Sequence, residues 1–203
     1  MRPNYAFDPP PAEISVGGTS YPANTDYRTW LEAHRILSHL RTHADTESAK
    51  EELIGQLVEL ENLVFGGWLK DESPVDVLRA LTDFLGGYPS APSPYGESSA
   101  KAPTFSFEYD LNLIILAIRT QYGIDLSYRR TEPLHWWEFL LLFQGLSGDH
   151  AICRLMEARG YDGKDKDFLK RKRACALPEE MTPEEIEELE EFNRLLTPPD
   201  EEN

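Results

Sequence analysis

Apolar positions are densest between Leu134 and Leu146, where two adjacent tryptophans, two phenylalanines and five leucines fall within thirteen residues. Trp136, Phe139, Leu140 and Phe143 follow the i, i+3, i+4, i+7 rule of a helix, while Trp137, Leu141 and Leu142 spread round the cylinder. The pattern predicts a buried helix with neighbours on more than one side. Thr131-Glu-Pro133 marks its start, with the proline in the first turn. Gly145-Leu146 marks its stop, with the glycine at the left-handed cap position.

The rest of the chain alternates between similar stripes and turn residues. Glu13–Val16 and Thr19–Ala23 flank Gly17-Gly18, which suits the positive φ angles of a two-residue hairpin turn. Asn24 or Thr25 caps a helix over 26–41 with Tyr27, Trp30, Leu31, His34 and Leu37 on one face. Ser48 and Glu51 have capping-box spacing at the head of a helix over 48–65, whose buried stripe is Leu53, Leu57, Leu60 and Val64. Ser73 caps a third helix, with Pro74 in its first turn, Val77, Leu78, Leu81 and Leu85 inward, and Gly86-Gly87 at its end. Residues 110–122 are apolar on nearly all sides and stop at Gly123-Ile124, the natural core partner of the Trp-Trp helix. Asp149 caps a helix to Arg159 with Ile152, Leu155 and Met156 inward, and 164–175 forms another. Thr182-Pro-Glu-Glu185 starts the last helix, which runs to Leu196 with Ile186, Leu189, Phe192 and Leu196 as an apolar stripe on an acidic cylinder. The fold class expected is mainly α, with about eight helices and a short N-terminal β-hairpin.

Turn-rich stretches divide this series. Residues 1–12 hold four prolines without periodicity, and 88–104 combine four prolines with Ser, Ala and Gly. The organisation expected is a mobile arm over 1–12, a hairpin plus three-helix N-terminal subdomain over 13–87, and a Pro/Ser-rich linker over 88–104. A helical C-terminal subdomain with the Trp-Trp helix follows over 105–178, then an acidic amphipathic helix and tail over 179–203.

Charge changes the picture less than its total suggests. Of the formal −16, residues 176–203 contribute −10, from eleven acidic residues and Arg194, which leaves −6 for the first 175 residues. No apolar run approaches the roughly 18 residues that cross a bilayer, and the N-terminus lacks the apolar core of a secretion signal. A soluble, cytosolic-type protein with two reduced cysteines, Cys153 and Cys175, is expected.

Candidate chemistry is sparse. There is no Gly-rich phosphate loop, no Gly-x-Ser-x-Gly elbow and no His-Glu-x-x-His motif, so neither an enzyme nor a cofactor is expected. His39 with His43, and His150 with Cys153, have one-turn spacing but lack third and fourth ligands, so no metal is expected either. Trp136 and Trp137 are candidate anchors for a partner, although aromatics at helical spacing are usually core and Trp137 and Phe139 are expected there. Because adjacent helical positions point about 100° apart, one of the two tryptophans is the candidate left over. Ile186, Leu189 and Phe192 form a second candidate contact, either packed on their own domain or held out for another chain. Lys166, Lys170, Arg171 and Arg173 form a basic patch beside Lys164 and Lys172. With only Phe168 as a stacking aromatic and an acidic helix following at once, pairing with that helix is favoured over nucleic-acid binding.

Phe107-Glu-Tyr-Asp110, Gln121-Tyr-Gly-Ile-Asp-Leu126, Leu134-His-Trp-Trp-Glu-Phe139, Gly145-Leu146 and Arg159 together resemble the C-terminal signature of a phage protein family. That family is encoded beside the tape-measure gene of long-tailed phages and is generally assigned as a tail assembly chaperone. Ile14–Tyr21 followed by Asp26–Leu31 is similar to the family's opening hairpin and first helix, so the likeness covers about residues 13–178. The acidic tail after Pro178 and the sparsely charged linker depart from the family's pattern.

The resemblance implies no catalytic residues. It implies a non-enzymatic chaperone that binds the tape-measure protein and assists tail tube assembly in the host cytoplasm, absent from the mature virion. The tail tube protein, a second assembly chaperone and further copies of the chain are additional candidate partners, and neither nucleic acid nor membrane is among them. Two other classes compete. An acidic DNA-mimicking inhibitor of a host protein is motivated by the charge and weakened by its concentration in the tail. A minor structural virion protein would differ by remaining in purified particles.

Overall fold

The computed structural model describes residues 7–40, 47–88, 103–128 and 130–178. The predicted last helix, with Ile186, Leu189 and Phe192, lies outside these residues. So do 1–6 of the predicted arm, 89–102 of the predicted linker, and His43. Among the described residues the fold is mainly α, with an N-terminal antiparallel hairpin of β1 (Glu13–Val16) and β2 (Thr19–Pro22). Seven helices follow: α1 (Tyr27–Ser38), α2 (Glu47–Phe65), α3 (Pro74–Leu85), α4 (Phe107–Tyr122), α5 (Trp136–Gln144), α6 (Ala151–Gly160) and α7 (Lys166–Ala174).

The hairpin turns at Gly17 and Gly18, whose φ angles of 57° and 95° lie in the region closed to most side chains. Alternation then directs Ile14 and Val16 into the core, where α3 packs against β1. The chain before the hairpin is tied in at its end. Ala23 N–H donates to Ala12 O at 3.1 Å, and Pro11 O lies 2.9 Å from His135 Nε2. Pro11 and Ala12 thus belong with the folded body and not with a free arm.

Several helix starts differ from those expected. α1 is capped by Asp26, whose carboxylate accepts from Arg28 N–H at 3.0 Å, and not by Asn24 or Thr25. α2 already includes Ser48 within the helix. α4 starts a turn earlier than Asp110. Ser106 Oγ accepts from Glu108 N–H at 3.2 Å, and Asp110 Oδ2 accepts from Ser106 N–H at 2.9 Å, a reciprocal cap. α5 starts after Pro133, with His135 as its cap. His150, not Asp149, precedes α6.

The reason at α5 is a cross-chain stitch. Tyr27 N–H donates to Leu134 O at 2.8 Å and Trp136 N–H to Thr25 O at 2.7 Å, an antiparallel bridge centred on Asp26 and His135. The first amides of α1 and α5, orphaned in any isolated helix, thereby satisfy each other's flanking carbonyls. At the other end of α5, Gly145 has φ −84° and is not the left-handed cap expected. Gly123, at the end of α4, does take that conformation, with φ 70°.

The Trp-Trp pair resolves its two directions in one place. Trp136 Nε1 donates to Leu85 O at 3.0 Å and Trp137 Nε1 to Phe84 O at 2.8 Å. Both indoles therefore satisfy carbonyls at the C-terminus of α3, where a helix leaves acceptors unpaired. Gly87 just beyond has φ +75°, a backbone conformation that favours glycine, and a methyl group there would lie 2.7 Å from Leu140 Cδ1 and push that side chain aside.

A single core unites the segments on either side of 88–104. Trp30 stacks on Phe84 with ring centroids 4.4 Å apart, Tyr27 on Phe139 at 5.4 Å, and Trp136 on Phe139 at 5.4 Å. Trp30, Tyr27, Trp136 and Phe139 are all essentially inaccessible to water. The Tyr27 hydroxyl reaches across to Leu126 O at 2.6 Å. The N-terminal and C-terminal subdomains expected from the sequence thus share their aromatic centre.

Within helices, the buried stripes are shifted from those expected in α1 and α3. α1 buries Tyr27, Trp30, Ala33 and Ile36, leaving Leu31, His34 and Leu37 half-buried. α3 buries Val77, Ala80, Leu81 and Phe84, with Leu78 and Leu85 half-buried. Small alanines face the core because the position of Trp30, fixed by its stack on Phe84 and its 2.8 Å bond to Asn24 O, sets the rotation of α1.

Replacing Trp136 with Phe keeps most of the apolar volume and strands Leu85 O. We expect a loss of about 1–3 kcal/mol in urea unfolding, with a smaller loss for Trp137→Phe on the half-buried partner. His135 gives a pH test. Its Nδ1 accepts from Trp137 N–H at 3.0 Å, which places the proton on Nε2, facing Pro11 O. Burial lowers its pKa below the usual 6.5, against a smaller upward pull from the Pro11 bond. The stabilisation from neutral His135 is complete above the unfolded-state value and is lost as pH falls through the depressed folded value. Urea midpoints should therefore fall between pH 7 and 5, and His135→Asn, which keeps an acceptor at the cap, should flatten that slope.

Candidate functional site

The outer face of α1 and the start of α4 form the walls of a groove of about 1170 Å³. Leu31 and His34 come from α1, Phe105 and Phe107 from the approach to α4, Tyr109 and Leu111 from its first turns. Leu177 and Pro178, where the described chain ends, line it as well. Small-molecule pockets run to roughly 300–1,000 Å³, so this groove has the scale of an apolar peptide or helix face.

Arg159 holds its far wall together. The guanidinium donates from Nη1 to Asp110 Oδ2 at 2.5 Å and from Nη2 to Asp110 Oδ1 at 3.2 Å, a bidentate pair buried on both sides. Nε donates to Cys175 O at 2.6 Å, and Nη1 also reaches Thr104 O at 3.3 Å. One side chain on α6 therefore fixes the approach to α4, the first turn of α4, and the segment leaving α7. Asp110 and Arg159 are both among the residues that carry the phage-family resemblance, and the structure brings them into contact.

The near wall carries balanced charge. Arg28 is held by Asp26 at 2.8 Å and Arg35 by Glu32 at 2.6 Å, while His39 Nε2 lies 3.9 Å from Glu108. The Arg35 hydrogen bond, opposed by burial, lowers the Glu32 pKa. Burial lowers that of His34, with a further push from His39, and its ring sits edge-on to Phe107 at 5.1 Å. A neutral imidazole here behaves as part of the apolar floor. Ser38 Oγ is 3.3 Å from His34 Nδ1, but its proton goes to His34 O at 2.8 Å, the usual one-turn back-bond of a helical serine. The pair is thus not arranged as a nucleophile and its base.

The residues singled out from the sequence lie elsewhere. Trp136 is 1% exposed and Trp137 is half-buried against Phe84 and Tyr88, with both N–H groups bonded. Trp136 is a core residue and corrects its reading as a partner anchor. Lys166, Lys170, Arg171 and Arg173 stand exposed on α7, where Phe168 stacks on Tyr161 at 4.9 Å. Among the described residues no three His, Cys, Asp or Glu side chains come together as a metal set, and His150 Nε2 faces Gln121 Oε1 at 2.9 Å. Burial pushes the Cys153 thiol pKa up, away from a reactive thiolate.

The groove itself was not foreseen. Its signal was present in α1, whose apolar residues cover more than one stripe: once Ala33 and Ile36 face the core, Leu31 and His34 must find another use. Phe105 preceded the expected start of α4 and so was assigned to no face.

Residues 10–177 match the family described as Bacteriophage Gp15 protein. No curated protein and no solved structure matches the chain.

Arg159→Met leaves the Asp110 carboxylate buried without its cation. We expect a loss of about 3–5 kcal/mol in chemical unfolding, and Asp110→Leu with Arg159→Met should recover part of it. A double variant as unstable as the sum of its singles would refute the coupling of the pair.

Proposed function

We propose that this chain, which belongs to the bacteriophage Gp15 protein family, is a non-enzymatic tail assembly chaperone that binds the tape-measure protein in the host cytoplasm. The observation that carries the reading is the apolar groove between α1 and α4, combined with a family that is bacteriophage in character. A tape-measure protein is long, helical and partly apolar. Before the tail tube surrounds it, its apolar faces are aggregation-prone. A groove floored by Leu31, Phe107 and Leu111 and rimmed by paired charges suits the apolar side of one amphipathic helix. Affinity per groove need only be modest, because many copies along one client add up by avidity.

The chaperone leaves when the tube takes over its contacts, so it is absent from finished particles. The tail tube protein and a second assembly chaperone are the further partners of this reading.

Co-expression supplies the test. The soluble fraction of the tape-measure protein should rise several-fold and the two should co-purify. Leu31→Asp, on the half-buried groove face, should abolish both while leaving the circular-dichroism spectrum unchanged. No gain in solubility and no co-purification with the unaltered chain would overturn the proposal.

A further inference from the structure

The groove has an occupant within reach on its own chain. Arg159 fixes Cys175, and Leu177 and Pro178 already line the groove, so the chain that continues from Pro178 departs from inside it. Four residues later begins Thr182–Leu196, with Ile186, Leu189, Phe192 and Leu196 at helical spacing. Four extended residues span at most roughly 14 Å, so this stripe is confined to the neighbourhood of the groove. A short tether of that kind gives an effective concentration on the order of millimolar.

We propose that the apolar stripe Ile186, Leu189 and Phe192 of the acidic C-terminal segment seats in the α1–α4 groove of its own chain, so that a partner must displace it. A segment with so many glutamates and a single cation, Arg194, gains little from its own side-chain pairs and needs a surface to become ordered. The groove supplies apolar area, and the arginines on its rim are already paired, Arg28 with Asp26 and Arg35 with Glu32. Seating is therefore carried by apolar contact and resists salt. The exposed cations of α7 would hold the same segment by charge alone, a binding that salt removes. Occupancy does not rest on the chaperone reading, and only its consequence for a client does.

Hydrogen exchange on the full-length chain separates these outcomes. Amides in 28–39 and 103–111 should exchange at least tenfold faster in the Ile186→Ser, Leu189→Ser, Phe192→Ser triple variant than in the unaltered chain. Those of α3 should not change, which shows that the body remains folded. The difference should persist at about 1 M salt, where the Debye length is about 3 Å, and at all protein concentrations. Equal rates in the groove segments would overturn the proposal, as would salt-sensitive protection confined to α7. Protection that disappears on dilution would also overturn it, placing the segment of a second copy in the groove. Trypsin cleavage after Arg194 gives a second readout: Leu31→Asp should speed it several-fold, and an unchanged rate would count against seating. These measurements involve no tape-measure protein, so failure of the chaperone reading leaves them intact.

Discussion

A guanidinium withdrawn from water must commit its donors to partners, and Arg159 commits them to three separate parts of the chain. Asp110 meets it bidentately, Cys175 O takes Nε, and Thr104 O takes Nη1. Each partner alone would be a loop end or a first helical turn, the places where a helical protein frays. Joined at one buried charge, they become a wall. The desolvation of Arg159 is offset only when all these acceptors are in place, so the approach to α4, its cap through Ser106 and the exit from α7 form together. The groove exists because this junction holds its far side against α1.

The same logic recurs at the centre. Amides orphaned at the starts of α1 and α5 are satisfied by the Asp26–His135 bridge, and carbonyls at the end of α3 by two indole N–H groups. Helix ends are where a mainly helical fold has unpaired backbone, and here they are joined to one another across 51 residues of sequence or more. This cross-linking makes 88–104 a connection between parts of one core and not a boundary between two. The stacked pairs Trp30–Phe84 and Trp136–Phe139 fill the space these joints define.

Function follows from what the core leaves over. α1 has more apolar surface than the core can take, and Leu31 and His34 turn outward against Phe105 and Phe107. The apolar groove, in a protein of a bacteriophage family, is what supports our proposal that an amphipathic partner binds there. The acidic segment that leaves from the groove would regulate access without altering the core.

The sequence by itself determined the helices among the described residues, the hairpin and a phage family. Periodicity at 3.6 survives any tertiary arrangement, Gly17-Gly18 suits a tight turn, and Tyr-Gly-Ile-Asp-Leu with Leu-His-Trp-Trp-x-Phe carried a resemblance to a phage family before the family match over residues 10–177 showed one. It also named Asp110 and Arg159 without the means to pair them. The tertiary structure decided the rest, for physical reasons visible at single residues. His135 became a cap because Trp136 N–H is bonded to Thr25 O and Leu134 O accepts from Tyr27 N–H, and a local reading of Pro133 contains no such partner. Leu31 and Ala33 are adjacent stripes of one helix, and only the Trp30–Phe84 stack selects which faces inward. Trp136 and Trp137 looked too divergent for one interior, until the carbonyls of α3 offered each of them an acceptor.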